Sequence, residues 1–182
     1  MEKIPSKVMI AKVPIIGKLF EYTLYIKFSN ELVSINSVER KVIVEEKPLI
    51  TVKTNNRGKR KVEKEGADAG TILQKDYSKI EIINPFDHPR CCISDADLAE
   101  VILRRLMRKA FKKSVSLVRP IVIAHPLQNI NGGLSSFEIS GLKNIFQTLG
   151  ARETYIWIGA PLHYEQLINY NFSEASGELI KA

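Results

Sequence analysis

Residues 94–162 read SDADLAEVILRRLMRKAFKKSVSLVRPIVIAHPLQNINGGLSSFEISGLKNIFQTLGARETYIWIGAPL, and the order of patterns in this stretch decides the fold. Leu98, Ala99, Ile102, Leu103, Leu106 and Ala110 recur every three or four residues, the period of a helix with one buried face. Ser94 is a good N-cap, with Asp97 three residues on as a weak capping box. Asp95 and Asp97 near the start, and Lys109, Lys112 and Lys113 near the end, complement the helix dipole. Pro120–Ala124 (PIVIA) is a continuous apolar run of strand length, as in a strand covered on both faces. Leu127–Leu134 is a loop loosened by Gly132 and Gly133. Ser135 and Glu138 then make a capping box for a second helix with apolar positions Phe137, Leu142, Ile145, Phe146 and Leu149. Gly150 is its natural C-terminal cap. Tyr155–Ile158 (YIWI) is the next strand, Gly159-Ala160-Pro161 ends it, and Leu162–Asn171 starts a third helix. Helix, strand, helix, strand, helix predicts an α/β domain with parallel strands in its second half.

Before this stretch the pattern is antiparallel. Tyr22–Ile35 reads as strand, turn and strand, with Ser29 and Asn30 at the turn. Lys41–Glu46 (KVIVEE) and Leu49–Val52 (LITV) are further short strands, and together these predict an opening meander. Thr54–Gly70 is almost devoid of large apolar residues. Its Arg57–Lys61 run reads either as a solvated hairpin or as a phosphate-binding patch. Ile80–Ile83 resumes strand character before Asn84-Pro85. The tail from Ser173 is small and polar, and fraying is expected there.

The 182 residues are enough for one domain with its own core. With 45% hydrophobic and 26% charged residues, collagen-like and wholly disordered chains are excluded. No apolar run approaches the roughly 18–20 residues of a membrane span. The two cysteines, Cys91 and Cys92, are adjacent, so they build neither a disulfide framework nor a zinc site, and an intracellular setting is expected. The net charge of +7 permits a nucleic-acid or anionic-membrane partner without establishing one.

Residues 1–20 form a basic apolar segment. Lys12, Pro14, Gly17 and Lys18 interrupt it, unlike a secretory signal. Ile15, Ile16, Leu19 and Phe20 could share one side of a helical turn and enter a membrane interface, with the lysines toward anionic headgroups. The alternative is a strand or arm, Val8–Val13, docked on the core.

Candidate chemistry is sparse. Arg104, Arg105, Arg108, Lys109, Lys112 and Lys113 form a basic helix face, readable as a phosphate-backbone grip or as a solvated face. Gly132-Gly133 before Ser135 lacks the lysine of a phosphate-binding P-loop, although a helix start favours an anion. His125 follows a buried strand, where α/β sites commonly sit, but no acid is near it in sequence. Cys91 and Cys92 read as packing residues. No triad, carboxylate pair or metal cluster assembles.

The order of the pieces resembles bacterial actin homologues of the MreB type. GKLFEYTLYI (Gly17–Ile26) is similar to the family's short amphipathic segment and first strand. EKPLITV (Glu46–Val52) is similar to its NEPSVVAI strand, and EGADAGTIL (Glu65–Leu73) to its VGxxA helix. INPFDHPRCCISDADLAEVILRRLMRKA (Ile83–Ala110) is similar to IRPMKDGVIxDxxxxExML and the basic helix that follows. PIVIAHP parallels VLVCVP, and GARETYIWIGAPL (Gly150–Leu162) is similar to GAREVYLIEEPL. The resemblance implies an actin-like, ribonuclease H-like first domain over residues 21–182. That domain is a mixed sheet with an antiparallel start and a parallel second half, with 54–83 in the small subdomain.

The departures carry functional expectations. The family's first phosphate loop, DLGTANT, matches Lys27-Phe28-Ser29-Asn30-Glu31-Leu32 here. Lys27 stands for the aspartate associated with metal and nucleotide, and Ser29 for a glycine whose bare backbone approaches phosphate. Gly159-Ala160 stands where the family has two glutamates before proline. The chain also stops near Ala182, where the family enters its second domain. The resemblance thus implies a degenerate, half-length member without ATP hydrolysis, and ATP with Mg²⁺ only if the altered loop still binds. Its expected partners are a cytoskeletal filament, a second actin-like chain, or the inner-membrane surface. The alternative is a nucleic-acid-binding module using the Arg104–Lys113 face and the Arg57–Lys61 loop.

Overall fold

The computed structural model describes residues 22–54, 60–66, 80–111, 119–173 and 175–182. Along the chain lie β1 (Thr23–Phe28), β2 (Val33–Ser37), β3 (Val42–Glu46), β4 (Ile50–Thr54), β5 (Arg60–Glu65) and β6 (Ile80–Ile83). They are followed by α1 (Ala96–Phe111), β7 (Ile121–Pro126), α2 (Ser136–Thr148), β8 (Glu153–Gly159), α3 (Tyr164–Asn169) and β9 (Gly177–Lys181). The main sheet has the order β3-β2-β1-β7-β8-β9. β1, β2 and β3 form the antiparallel meander; β7 runs parallel to β1 and β8 parallel to β7. The sheet is therefore mixed, as the pattern predicts.

LITV does not join the meander. β4 instead forms a second antiparallel sheet of order β5-β4-β6. Pro48, which lacks a ladder donor, separates β3 from β4. Ile50 and Val52 are fully buried in the helix-side core, so leaving the main sheet exposes no apolar side chain of theirs.

Each face of the main sheet buries its own cluster. Leu24, Ile26 and Phe28 of β1, Val122 and Ala124 of β7, and Ile156 of β8 meet the apolar stripes of α1 and α2. The alternate residues Tyr25, Ile121, Ile123, Tyr155 and Trp157 meet Leu162, Leu167 of α3 and Phe172 on the other face. All six residues of β7 are buried, which is why its sequence reads as an unbroken apolar run.

The helix ends follow local chemistry with one correction. Asp95, not Ser94, caps α1: its carboxylate accepts from the Leu98 amide at 3.0 Å, and the Ser94 hydroxyl donates to Pro85 O. α2 opens with the full Ser135–Glu138 capping box. It closes on Gly150 at φ +93°, whose N–H donates to Gln147 O while Ala151 N–H donates to Phe146 O, a Schellman closure. Phe137 is not part of the buried stripe. It is 86% exposed, and Ile139 takes the inward position.

The tail is ordered rather than frayed. β9 pairs antiparallel with β8, burying Leu179 against one core and Ile180 against the other. The Gly159–Gly177 pair permits this close seating. A Cβ on Gly159 would lie 2.4 Å from Ser176 O, and one on Gly177 would lie 2.4 Å from Trp157 Cζ2.

Candidate functional site

Three connections meet at the ends of the parallel strands β1 and β7: the β1–β2 turn, the Asn84–Asp87 turn, and the loop after β7. Their positions follow from the register, in which Phe28 lies opposite Pro126 and the Leu127 amide donates to Phe28 O. This is where an α/β sheet commonly carries its site, and it is where Lys27, Ser29 and Asn30 fall.

The β1–β2 turn is closed by its own hydrogen bonds. Ser29 N–H donates to Leu32 O at 3.0 Å. The Ser29 hydroxyl oxygen accepts from the amides of Glu31 and Leu32, each at 3.2 Å. Asn30 N–H donates to Gln128 Oε1 at 2.9 Å. Every amide from Ser29 to Leu32 thus has an acceptor within the chain. Side-chain amides stitch the neighbouring turns together. Asn84 Nδ2 donates to Asn30 O, Gln128 Nε2 to Phe86 O, and Asn129 Nδ2 to the carbonyls of His88 and Cys91. Gln128, Asn129 and Asn84 escape a sequence reading, because isolated amides in loops carry no periodic signal. Lys27 is half-buried and lies opposite His125 in the β1–β7 register.

His125 is buried and fully wired. Its Nε2 meets Gly159 O at 3.0 Å, and a carbonyl only accepts, so Nε2 carries the proton. Nδ1 is then the acceptor for the Tyr25 hydroxyl at 2.6 Å, and that hydroxyl oxygen accepts the Leu162 amide at 3.1 Å. Each polar atom in this chain is matched with the ring neutral. Burial lowers the His125 pKa from 6.5 to about 4, with nearby Lys27 a smaller contributor in the same direction. Burial also pushes Tyr25 up to about 12. The arrangement fixes β1, β7 and the end of β8 to one another. With both ring nitrogens committed, it leaves His125 no free nitrogen for proton transfer.

The other candidates resolve similarly. The helix start after Gly132-Gly133 is filled by the chain's own carboxylate, since Glu138 Oε2 accepts from Ser135 N–H and from its hydroxyl. Cys92 is buried, and burial pushes its thiol up to about 12. Among the described residues, no three His, Cys, Asp or Glu side chains converge to hold a metal ion. At the end of β8, Gly159 and Ala160 bring no carboxylate.

The basic face of α1 is largely engaged. Arg105 and Lys109 both pair with Glu46 at the end of β3, at 3.0 and 3.1 Å, and Arg104 pairs with Glu100 one turn back. Arg108 is exposed. Arg60 and Lys61 of β5 pair with Asp95 and Glu63. Of the six cations expected on this face, Arg104, Arg105 and Lys109 hold carboxylates of the chain itself. Lys112, Lys113 and Arg57–Lys59 lie outside the described residues. So do the membrane candidates Ile15, Ile16, Leu19 and Phe20, the arm Val8–Val13, and Ala67–Leu73 of the segment likened to a helix. Among the described residues no helix is long and apolar enough to cross a membrane.

Comparison with known proteins places this geometry. The family described as MreB/Mbl protein matches residues 28–167. No curated protein matches the sequence. Among solved structures, MreB5 of Spiroplasma citri bound to ADP is similar with a TM-score of 0.57 at 18% identity, over 75% of this chain and 37% of that one. The same protein bound to AMPPNP gives a TM-score of 0.55 at 15% identity, over 75% and 38%. A non-polymerising mutant of MamK bound to AMPPNP gives 0.54 at 14%, over 75% and 40%. This chain therefore spans well under half the length of those proteins and shares their actin-like fold. The family match runs from the last residue of β1 into α3, and the chain belongs to the MreB/Mbl family.

Proposed function

We propose that this chain is a non-hydrolysing, actin-like interaction module of a bacterial cell-shape cytoskeleton. Membership of the MreB/Mbl family supports the cytoskeletal part. The β1–β2 turn carries the non-hydrolysing part. In the family this turn cradles phosphate; here the amides of Ser29, Asn30, Glu31 and Leu32 all donate within the chain. A phosphate would have to displace those acceptors, each bond contributing about 0.5–1.5 kcal/mol net. It would also have to approach past the Cβ of Ser29. Lys27 puts an ammonium where the family has the aspartate associated with metal, and Gly159-Ala160 offers no general base for an attacking water. These residues do not fit a magnesium triphosphate.

The partners in this reading are proteins, either a cytoskeletal filament or a second actin-like chain. The setting is cytoplasmic, at the inner face of the membrane, with Ile15, Ile16, Leu19 and Phe20 as the contact and the neighbouring lysines facing anionic lipid. Titration of the purified chain with ATP and Mg²⁺ in a calorimeter tests the nucleotide part. No saturable heat is expected, and a saturable isotherm overturns it. Sedimentation with anionic liposomes tests the membrane part. Deleting residues 1–20 should release the protein, and unchanged binding sinks that contact.

A further inference from the structure

The main sheet ends on β3, which among the described residues pairs with β2 alone. Such an edge presents backbone N–H and C=O groups in the plane of the sheet, where a further strand can add. Natural edges are blunted by proline, lysine, a bulge or very short length. Val42–Glu46 contains neither proline nor lysine, and its register with β2 runs without a bulge. Glu45 and Glu46 guard one end only. At the other end Ile43 is 62% exposed, and Val42 and Val44 are half-buried. α1 meets β3 on the helix-side face, through Arg105 and Lys109 with Glu46, and not along the in-plane edge of Val42–Glu45.

The chain itself carries a segment that fits this edge. β1 starts beside the Val42 end of β3: Val38 N–H donates to Thr23 O, and Leu24, Ser37 and Val42 lie in one row across the three strands. The residues before Tyr22 therefore enter the sheet at that end. A strand added outside β3 lies three strand spacings from β1, about 14 Å. Residues 11–21, fully extended, span well over twice that distance. A segment whose next residues return to Tyr22 runs toward the Val42 end, opposite to β3, so the pairing is antiparallel. Lys7-Val8-Met9-Ile10 matches β3 in that direction. Lys7 falls opposite Glu45, Val8 opposite Val44, Met9 opposite Ile43 and Ile10 opposite Val42. Opposite charges meet, and apolar residues meet apolar ones on both faces. We infer that residues 7–10 add to β3 as a further strand of the main sheet, closing its open edge within one chain. A second copy's β3 fits less well. Centred on Val44, that pairing sets each Glu45 against the other copy's Ile43, and it brings together two chains of net charge +7. Ile15, Ile16, Leu19 and Phe20 lie in the connection and not in the added strand, so the inference stands apart from the membrane and nucleotide readings.

The test is amide hydrogen exchange, read by mass spectrometry on the full chain and on a variant lacking residues 1–10. The amides of β3 should exchange on the order of tenfold faster in the truncated protein, with those of the buried strand β7 unchanged as the reference. Met9→Asp keeps the full length and puts a charge against Ile43. It should give the same acceleration, and it replaces the truncation if that protein does not fold. Equal β3 exchange in the full chain and the variants overturns the inference. Protection of β3 that grows with protein concentration, between about 1 and 50 µM, also overturns it, in favour of an edge shared by two copies. Failure here leaves the ATP calorimetry and the liposome sedimentation untouched, so the readings fail separately.

Discussion

Acidification should weaken this fold through one residue, His125. In the native state its ring is neutral, donating to Gly159 O and accepting from Tyr25, and burial holds its pKa at about 4 against 6.5 for a free histidine. The sign follows from that depression. The unfolded chain takes up the proton first, so the stabilisation is full above about pH 6.5, declines as pH falls toward about 4, and levels off below. For those two values the linkage relation gives a loss of about 2 kcal/mol between about pH 7 and pH 5. The assay is urea unfolding at both pH values, followed by the fluorescence of Trp157, the single tryptophan. The comparison protein is His125→Met, which cannot titrate. His88, His163 and the carboxylates are common to both, so the difference between the two pH dependences isolates His125. The variant should be less stable at neutral pH, because Tyr25 and Gly159 lose a partner. It should also lack the additional loss of about 2 kcal/mol on acidification. Equal pH dependence in the two proteins would refute the neutral, doubly bonded ring.

Gly177→Ala should destabilise by about 1–3 kcal/mol in denaturant titration, because its Cβ would lie 2.4 Å from Trp157 Cζ2 and 2.6 Å from Ile158 O. A quenched or shifted Trp157 emission in the folded variant would locate the disturbance. Ser135→Ala should lower stability by about 1 kcal/mol through loss of the α2 capping box. Asp95→Ala should cost more than Ser94→Ala, since Asp95 is the α1 cap; the reverse order in thermal melts would return the cap to Ser94. Phe137→Ser should leave stability within about 0.5 kcal/mol, its ring being 86% exposed.

Much of the fold was legible because its signals are local. Ser135, Glu138 and Gly150 specify both ends of α2 within their own turns, and the unbroken apolar run of β7 reflects its cover on both faces. The misreadings arise where a distant residue decides. Ser94 and Asp95 are both competent caps, and the contact of Ser94 with Pro85 O settles which one is used. LITV has strand character, but only the pairing of Ile50–Lys53 with Ile80–Ile83 says which sheet takes it. Phe137 reads as part of the apolar stripe of α2 by composition, although it sits about 200° around the helix from Ile139. The small, polar start of the tail gives no sign of β9, whose two-residue apolar anchor, Leu179-Ile180, pairs with residues more than twenty positions earlier. At the site, the departures at Lys27, Ser29 and Gly159 were visible as letters. What the turn does with its amides was not, because Gln128 meets Asn30 and Tyr25 meets His125 across about a hundred residues of chain.

The contact between Gly159 and Gly177 acts as a lock on the end of β8. Any side chain at 159 would start 2.4 Å from Ser176 O and 2.5 Å from Gly177 Cα. A carboxylate at that position would first require the release of β9 and the exposure of Leu179 and Ile180. The seated strand therefore decides which residue the end of β8 can carry.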